Sequence, residues 1–249
     1  MPGEVTRSFP GRDHRYDVLV VGAGLCGSEA AYTCARAGLD TLLITTSLDT
    51  VYNLFGEGAA LTPPPDTLLH QLHSECADPS GYARTWALHR AAKAALEHIP
   101  GLHLLQSSVS TLDVEDGSVV GVGTWEGVPR RARRTALCTG SFLGARLLTG
   151  DLSEVAGRLS EMAYDDLYEH LVGLGFRFEA LEKSVSPTDS APGYRVRCQQ
   201  LASAELSETR LSRLANLYAA GFCTAGDKTY EAAALEGKAL AEQLIRSLA

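Results

Sequence analysis

The chain of 249 residues is long enough to bury the core of one α/β domain. Hydrophobic residues make up 45% and charged residues 21%, as in ordinary globular proteins, and no run approaches the roughly 18 apolar residues of a membrane span. The net charge of −8 disfavours broad nucleic-acid binding, because an acidic surface repels phosphate backbones.

The first fifteen residues carry charges and prolines but lack the apolar segment of a signal peptide. We therefore expect a flexible leader at residues 1–15 and a single domain over residues 16–249, in a cytoplasmic protein with no membrane association. The six cysteines are scattered and never form a C-x-x-C pair. No metal site is expected from that spacing, and a reducing cytosol keeps such cysteines as free thiols.

A glycine-rich turn lies between two short apolar segments at the start of this domain. Residues 16–21 (YDVLVV) and 41–45 (TLLIT) are typical of strands that are buried on both faces of a parallel sheet. The small residues at positions 28–37 predict a helix between them, which Gly38 ends. This order predicts an α/β, Rossmann-like fold with a central parallel sheet and flanking helices.

The turn itself is Gly22-Ala-Gly24-Leu-Cys-Gly27, a G-x-G-x-x-G pattern between a strand and a helix. The first glycine permits the sharp turn, the second lets the backbone approach a pyrophosphate, and the third lets the helix pack closely on the strand. The helix N-terminus then offers N–H groups and partial positive charge to the phosphates. The pattern in this context predicts a dinucleotide-binding site.

The rest of the chain gives a mixture of helices, strands and loops. Pro63 to Pro65 predict a surface loop, and Asp116-Gly117 is a turn signal. The predicted elements are a helix over 82–99, a small β-meander over about 102–137 beside the main sheet, a helix over 153–175 with Ser153 as N-cap, an exposed loop over 184–193 and an amphipathic helix over 230–248.

Two later segments suggest that the dinucleotide is FAD rather than NAD. The acidic residue that usually binds the adenosine ribose of NAD is replaced by Thr45, Thr46 and Ser47. Residues 136–141 and 221–227 are strand-to-turn segments that favour further cofactor contacts, and Asp227 precedes a helix where it could bind the ribityl hydroxyls. We expect the FAD contacts to come from Gly22, Ala23, Gly24, Leu25, Cys26, Gly27, Thr45, Thr46, Ser47, Val109, Thr139, Gly140, Ser141, Gly226 and Asp227.

Discontinuous blocks over most of the chain resemble the N-terminal FAD region of the glucose-inhibited division protein A (GidA/MnmG) family, the tRNA-uridine-modifying flavoproteins. The similar blocks are residues 16–24, 26–31, 42–50, 119–122, 137–144, 225–226 and 230–233. The resemblance implies a short GidA-related protein that corresponds to the FAD-binding region only, and an FAD-dependent oxidoreductase of unknown substrate. Its electrons would come from NAD(P)H or from a reduced protein. The chain could also form a homodimer.

The departures from the family limit what the resemblance implies. The family has a cysteine-containing stretch after Leu-Asp-Thr, where residues 51–59 have none. The inserted NADH-binding region and the C-terminal tRNA-binding region have no counterpart in 249 residues, so RNA binding by this chain alone is not expected. Glu57 is the one candidate for a polar catalytic group, because family members approach the flavin there.

Three alternatives stay open from the sequence. The chain could be a non-catalytic flavin-binding module or partner in a tRNA-modification complex. It could also belong to the folate-linked, tRNA-methylating branch that shares these FAD motifs. Finally, the basic cluster Arg130 to Arg134 could contact RNA phosphates, although alternate residues of a solvent-facing strand explain it as well.

Overall fold

A computed structural model describes residues 9–11, 13–163, 165–188 and 191–249 of the protein. Most of the leader expected at residues 1–15 lies outside the described residues, and Arg15 already belongs to the first strand. The α-helices of the described chain are α1 (Leu25–Arg36), α2 (Leu68–Cys76), α3 (Thr85–His98), α4 (Asp166–Gly173) and α5 (Tyr230–Leu248).

Most of the described strands are short, and together they form four sheets. In chain order they are β1 (Arg15–Val21), β2 (Thr41–Thr45), β3 (Gly58–Ala60), β4 (Tyr82–Arg84), β5 (Leu102–Gln106), β6 (Val109–Glu115), β7 (Ser118–Thr124), β8 (Pro129–Leu137), β9 (Arg146–Thr149), β10 (Leu152–Glu154), β11 (Ala156–Arg158), β12 (Glu161–Met162), β13 (Phe178–Val185), β14 (Tyr194–Leu201), β15 (Leu206–Ser207), β16 (Arg210–Leu211) and β17 (Leu217–Ala219).

The largest sheet has five parallel strands at its centre, in the order β5–β2–β1–β8–β17. The antiparallel strands β15 and β16 extend it beyond β17, and the β6–β7 hairpin joins it through β8. The chain moves outward from β1 to β5 on one side and later returns to β8 on the other side. This reversal at β1 is the arrangement of dinucleotide-binding folds, and it confirms the predicted Rossmann-like architecture.

Both faces of the parallel sheet are covered, which explains why its strands are almost continuously apolar. Val18 and Val20 belong to a core shared with α1, α2, α3 and α5 on one face. Leu19 and Val21 belong to a second core, shared with β6, β7 and α4, on the other face. The alternation along β1 therefore divides one strand between two cores.

Helices α1 and α5 pack closely on the first of these faces. A Cβ atom added at Gly237 of α5 would lie 2.4 Å from the carbonyl oxygen of Cys26 and 2.8 Å from Cβ of Glu29. A glycine is needed at this position because any side chain would push the two helices apart.

The β-meander predicted over 102–137 contains fewer strands in the structure. Strand β5 pairs in parallel with β2, and β8 pairs in parallel with β1, so both are members of the central sheet. Only β6 and β7 form a hairpin beside it. The apolar sequence of β5 is explained by this placement in the parallel sheet.

The predicted helix over 153–175 is wrong for its first half. Residues 152–162 form β10, β11 and β12, and the helix begins only at Asp166. Ser153 is an exposed strand residue that pairs with Leu148 across the turn at Gly150, and it caps no helix. Gly157 lies against Phe142, whose ring atoms would be 2.5 Å from an added Cβ. These tertiary pairings override the local helix propensity.

The other predicted elements agree more closely with the structure. The helix expected over 82–99 begins at Thr85, because Tyr82 to Arg84 pair with β3. The predicted terminal helix matches α5 at both ends. A four-stranded antiparallel sheet, β10–β9–β14–β13, carries a small third core. Among the described helices none is both long and apolar enough to cross a bilayer.

Candidate functional site

A cleft follows the carboxyl edge of the parallel sheet, at the point where the strand order reverses on either side of β1. It contains about 1250 Å³ of empty space, its open mouth included. Its walls come from residues 21–26 after β1, 44–46 at the end of β2, 107–109 after β5 and 138–143 after β8. Open α/β sheets bind their ligands at this edge and at this reversal.

The glycine turn forms the middle of the cleft floor. Gly22 has a φ of +104°, and an added Cβ would lie 2.3 Å from the carbonyl oxygen of Cys138. An added Cβ at Gly27 would lie 1.9 Å from the carbonyl oxygen of Gly22. At Gly24, by contrast, it would meet no atom within 4 Å, although this residue lines the cleft. Two of the glycines are thus required for packing, and the third leaves room beside the backbone.

The N-terminus of α1 opens on the same part of the cleft. Gly24 is its N-cap, no side chain among the described residues caps it, and its first turn has no acidic residue. The hydroxyl of Ser28 donates a hydrogen bond to the carbonyl of Ala23 at 3.1 Å and so stabilises the turn. A helix N-terminus without a protein acceptor favours an anion, because its N–H groups carry partial positive charge.

One end of the cleft is lined by hydroxyl groups from β2 and β5. Thr45 and Thr46 line it, as do Ser107 and Ser108, which the sequence analysis missed. The backbone N–H of Ser107 donates to the carbonyl of Thr45 at 2.8 Å, so the two strand ends are held together. Ser107 and Ser108 could have been found only by recognising β5 as the third parallel strand.

The other end of the cleft is aromatic. Phe55, Phe142 and Phe222 line it, and the rings of Phe55 and Phe222 have centroids 5.6 Å apart. Lys228, Thr229 and Tyr230, at the start of α5, complete this wall. Phe222 lies in the segment 221–227 that was expected to contact the cofactor, and the start of the terminal helix was expected too, whereas Phe55 and Phe142 were not predicted.

A nearly buried ion pair supports this aromatic end. Arg158 contacts both carboxylate oxygens of Glu161, at 2.6 and 2.9 Å, and each side chain is 13% exposed. The guanidinium also donates to the carbonyls of Asn53 at 2.6 Å and Leu54 at 3.2 Å. Arg158 therefore fixes the segment that leads to Phe55, and its charge is neutralised by Glu161.

One hydroxyl group and three cysteine thiols are buried next to the glycine turn. Thr139 lines the cleft, and its hydroxyl is buried on the side of the Cys223 thiol. The sulfurs of Cys26 and Cys138 lie 3.9 Å apart. The hydrogen bond to Cys138, together with burial, raises the pKa of Cys26 well above its ordinary value, and burial raises that of Cys223 to about 11. Cys26 and Cys223 are therefore protonated, unreactive thiols at neutral pH.

Several predicted contacts lie outside the cleft wall. Gly27, Ser47, Gly226, Asp227 and Glu57 do not line it, whereas the other predicted residues do. Asp227 is exposed, and its carboxylate accepts a hydrogen bond from the N–H of Thr229 at 3.1 Å. Glu57 is exposed as well, and its backbone carbonyl accepts from the N–H of Thr85. The predicted strand at Gly221 is a 3₁₀ turn, Gly221–Cys223, that follows β17.

Glu29 is a buried carboxyl group that the sequence analysis did not single out as a functional residue. It lies on α1 and accepts hydrogen bonds from the N–H groups of Leu68 at 2.8 Å and Leu69 at 3.3 Å, at the start of α2. Burial raises its pKa to about 7, although these two donors oppose the shift. Glu29 joins α1 to α2 behind the cleft and does not line it.

Two arginines of the basic cluster, Arg133 and Arg134, have polar partners within the chain. Arg133 contacts Asp17 at 3.1 Å, and Arg134 donates to the carbonyl of Ser247 at 2.7 Å. These contacts agree with the interpretation of the cluster as a solvent-facing strand, at the edge of the molecule opposite the cleft. Among the described residues, no group of three histidine, cysteine or acidic side chains is arranged to hold a metal ion.

Comparisons with known proteins agree with this architecture. The family model described as glucose inhibited division protein A matches residues 17–62 and 82–191. A "tRNA uridine 5-carboxymethylaminomethyl modification enzyme MnmG" from Lactobacillus delbrueckii subsp. bulgaricus is 30% identical over 199 residues, which are 70% of this chain and 32% of that enzyme. The chain thus spans about a third of the length of the curated relatives that it matches.

One solved structure is of a protein similar in length to this chain. The crystal structure of a GidA-related protein from Thermus thermophilus is 44% identical, with a TM-score of 0.85, and the match covers 94% of this chain and 100% of that one. Aquifex aeolicus GidA has a TM-score of 0.83 at 15% identity, covering 94% of this chain and 63% of that one. The second similarity concerns the fold alone.

Proposed function

The chain belongs to the glucose inhibited division protein A family, and on that premise we propose that it is an FAD-binding flavoprotein with oxidoreductase activity in the cytoplasm. The observation that carries the proposal is the cleft, which runs across the reversal point of the sheet and over an uncapped helix N-terminus. A long, two-part cofactor with a central pyrophosphate suits this geometry.

The residues around the glycine turn fit a pyrophosphate. The space beside Gly24 lets phosphate oxygens approach the backbone, and the N-terminus of α1 supplies N–H donors and partial positive charge. Thr139 and Gly140 lie on the wall that faces this helix N-terminus.

The two ends of the cleft fit the two halves of FAD. The adenosine of a dinucleotide lies over the second strand of such a sheet, where Thr45 and Thr46 offer hydroxyls in place of an acidic residue. Phe142, Phe222 and the start of α5, at the opposite end, would then hold the isoalloxazine. These apolar walls would exclude water from the ring, and the ion pair under Phe55 would keep them in place.

FAD supplies the electron or hydride chemistry when it is bound, and the protein supplies orientation and electrostatics. We propose NAD(P)H or a reduced partner protein as the electron source. Glu57 receives no role in this proposal, because its exposed position is outside the cleft wall. The tRNA modification named for the longer relatives is not part of it.

Competitive titration of the apoprotein tests the cofactor. FAD should bind at one per chain and much more tightly than FMN, which lacks the adenosine half, whereas NAD should not displace it. Equal affinity for FAD and FMN would contradict the assignment of the two ends. Anaerobic addition of NADPH or NADH to the FAD complex then separates an oxidoreductase, whose flavin is bleached, from a non-catalytic module, whose flavin stays oxidised with every reductant tried.

A further inference from the structure

At the aromatic end of the cleft lies a cation, Lys228, that no carboxylate of the described residues neutralises directly. Lys228 lines the wall, and its ammonium group donates a hydrogen bond to the carbonyl of Thr224. It also lies 5.3 Å from the centroid of the Phe222 ring. Within the described chain no carboxylate oxygen comes within 4 Å of Nζ, the limit for an ion pair, and Arg158 on the facing wall is instead paired with Glu161.

The position of Lys228 in the chain adds a second source of positive potential. It directly precedes Thr229, the N-cap of α5, whose hydroxyl accepts from the N–H of Ala232. Helix α5 has 19 residues, and its first turn lies on the cleft wall through Tyr230 and Ala233. The ammonium group and the positive end of a long helix dipole therefore act on the same end of the cleft.

The charged and titratable groups around Lys228 come from three other elements. Burial lowers the pKa of Lys228, and Glu236, Cys223, Cys198 and Asp227 oppose that shift. Glu236 lies behind the 221–226 turn, where its carboxylate accepts from the N–H of Gly221 at 2.8 Å. The two carboxylates favour the charged form of the lysine from the side away from the cleft.

We propose that Lys228 stabilises negative charge on the reduced isoalloxazine and thereby raises the reduction potential of bound FAD. The inference rests on the proposed function. Uptake of two electrons and one proton, at N5, leaves a negative charge over N1 and the C2 carbonyl of the ring. A cation in a partly dehydrated wall offsets that charge more strongly than the same cation would in water.

The chain offers a matched control in Lys183. Its Nζ lies 5.9 Å from the centroid of the Phe55 ring, and Phe55 contacts Phe222, so the two lysines flank the same aromatic pair. Lys183 lies on β13 and does not line the cleft. The two positions therefore have similar ring contacts and differ in access to the cofactor.

The test uses FAD-loaded protein with Lys228→Met, Lys228→Arg and Lys183→Met. One measurement is the affinity for sulfite, which adds to N5 of oxidised flavin and places negative charge on the ring. The other is the reduction potential, found by equilibration with a reference dye during reduction by dithionite. Lys228→Met should bind sulfite about tenfold more weakly, and should lower the potential by the corresponding two-electron value of about 30 mV. Lys183→Met and Lys228→Arg should stay within about threefold of the wild type.

Several outcomes would overturn the inference. One is an FAD-loaded Lys228→Met with wild-type sulfite affinity and potential, and another is an equal change in Lys183→Met. If Lys228→Met does not hold FAD, Lys228→Gln keeps a polar side chain there and is judged by the same two measurements. A wild-type protein that binds no FAD at all would contradict the proposed function itself. A Lys228→Met variant with normal FAD content and an unchanged reduction potential would contradict only the role of Lys228.

Discussion

Replacement of Gly24 by alanine should weaken cofactor binding strongly without unfolding the protein. The added methyl group meets no protein atom within 4 Å, and Gly24 has the ordinary extended backbone of an N-cap. The cost to folding should therefore be about 1 kcal/mol or less, the usual difference between glycine and alanine at an N-cap. The methyl group instead occupies the space in which a pyrophosphate oxygen would approach the backbone.

The loss of affinity can be estimated from the hydrogen bonds at stake. One charge-assisted hydrogen bond contributes about 1.5–3 kcal/mol, so its loss should raise the Kd for FAD about 10- to 100-fold. Gly27→Ala is the matched control, because its methyl group would lie 1.9 Å from the carbonyl oxygen of Gly22. Backbone must move there, at a cost of about 3 kcal/mol or more, which lowers the Tm of a chain of this size by roughly 6 °C or more.

The assay combines two measurements on each variant, a thermal unfolding curve of the apoprotein and a titration with FAD. Gly24→Ala should have a nearly unchanged Tm and weak binding, whereas Gly27→Ala should have a clearly lower Tm. Wild-type affinity in Gly24→Ala would refute the placement of the pyrophosphate at the glycine turn. A large fall in its Tm would refute the claim that this position is open.

Three further results are expected. Burial raises the pKa of Glu29 from 4.5 to about 7, so ionisation of this carboxyl group opposes folding. As the pH rises from 4.5 to 7, the free energy of unfolding of the wild type should therefore fall by up to about 3 kcal/mol relative to that of Glu29→Gln, as measured by urea unfolding. Parallel pH profiles of the two proteins would contradict this. Thr139→Val should change the Tm little, because among the described residues the buried hydroxyl has at most a weak bond to the Cys223 thiol, and should weaken FAD binding about three- to tenfold, because Thr139 belongs to the wall that a pyrophosphate would face. Gly237→Ala should cost about 1–3 kcal/mol by separating α1 from α5, whereas Gly173→Ala, with no atom within 4 Å, should not destabilise the protein.

The parts of the fold that the sequence predicted are those with strong local signals. The apolar strand, the glycine turn and the next strand lie within thirty residues, and their order alone indicates the β–α–β unit. The terminal helix has a regular apolar period and a threonine N-cap, so both of its ends could be predicted. These elements place the glycine turn and the start of α5 on the cleft wall.

The errors occur where distant residues decide the structure. Residues 152–162 are strands only because β9 and Phe142 are placed beside them by the chain that precedes them. Strand β5 looks like the start of a meander until its parallel pairing with β2 is known, and with it the role of Ser107 and Ser108. Nothing local distinguishes these cases, because a short apolar run suits either environment.

The same limitation explains the difference between Asp227 and Lys228. The sequence favoured the aspartate, because an acidic residue before a helix suits ribityl hydroxyls, whereas in the structure Asp227 is exposed and Lys228 lines the wall. The side chain of Glu57 is likewise exposed, since its segment is fixed by Arg158 and by pairing with β4. Such orientations depend on backbone geometry that short motifs do not determine.

The most direct test of the central claim is the visible absorbance spectrum of the freshly purified protein, followed by chromatographic identification of whatever denaturation releases. The cleft, the uncapped α1 N-terminus and the glycine turn predict a yellow protein that releases FAD at one per chain, or a colourless apoprotein that becomes yellow at that stoichiometry when FAD is added. A protein that carries no flavin and takes up none would contradict the account and leave the cleft without its proposed ligand.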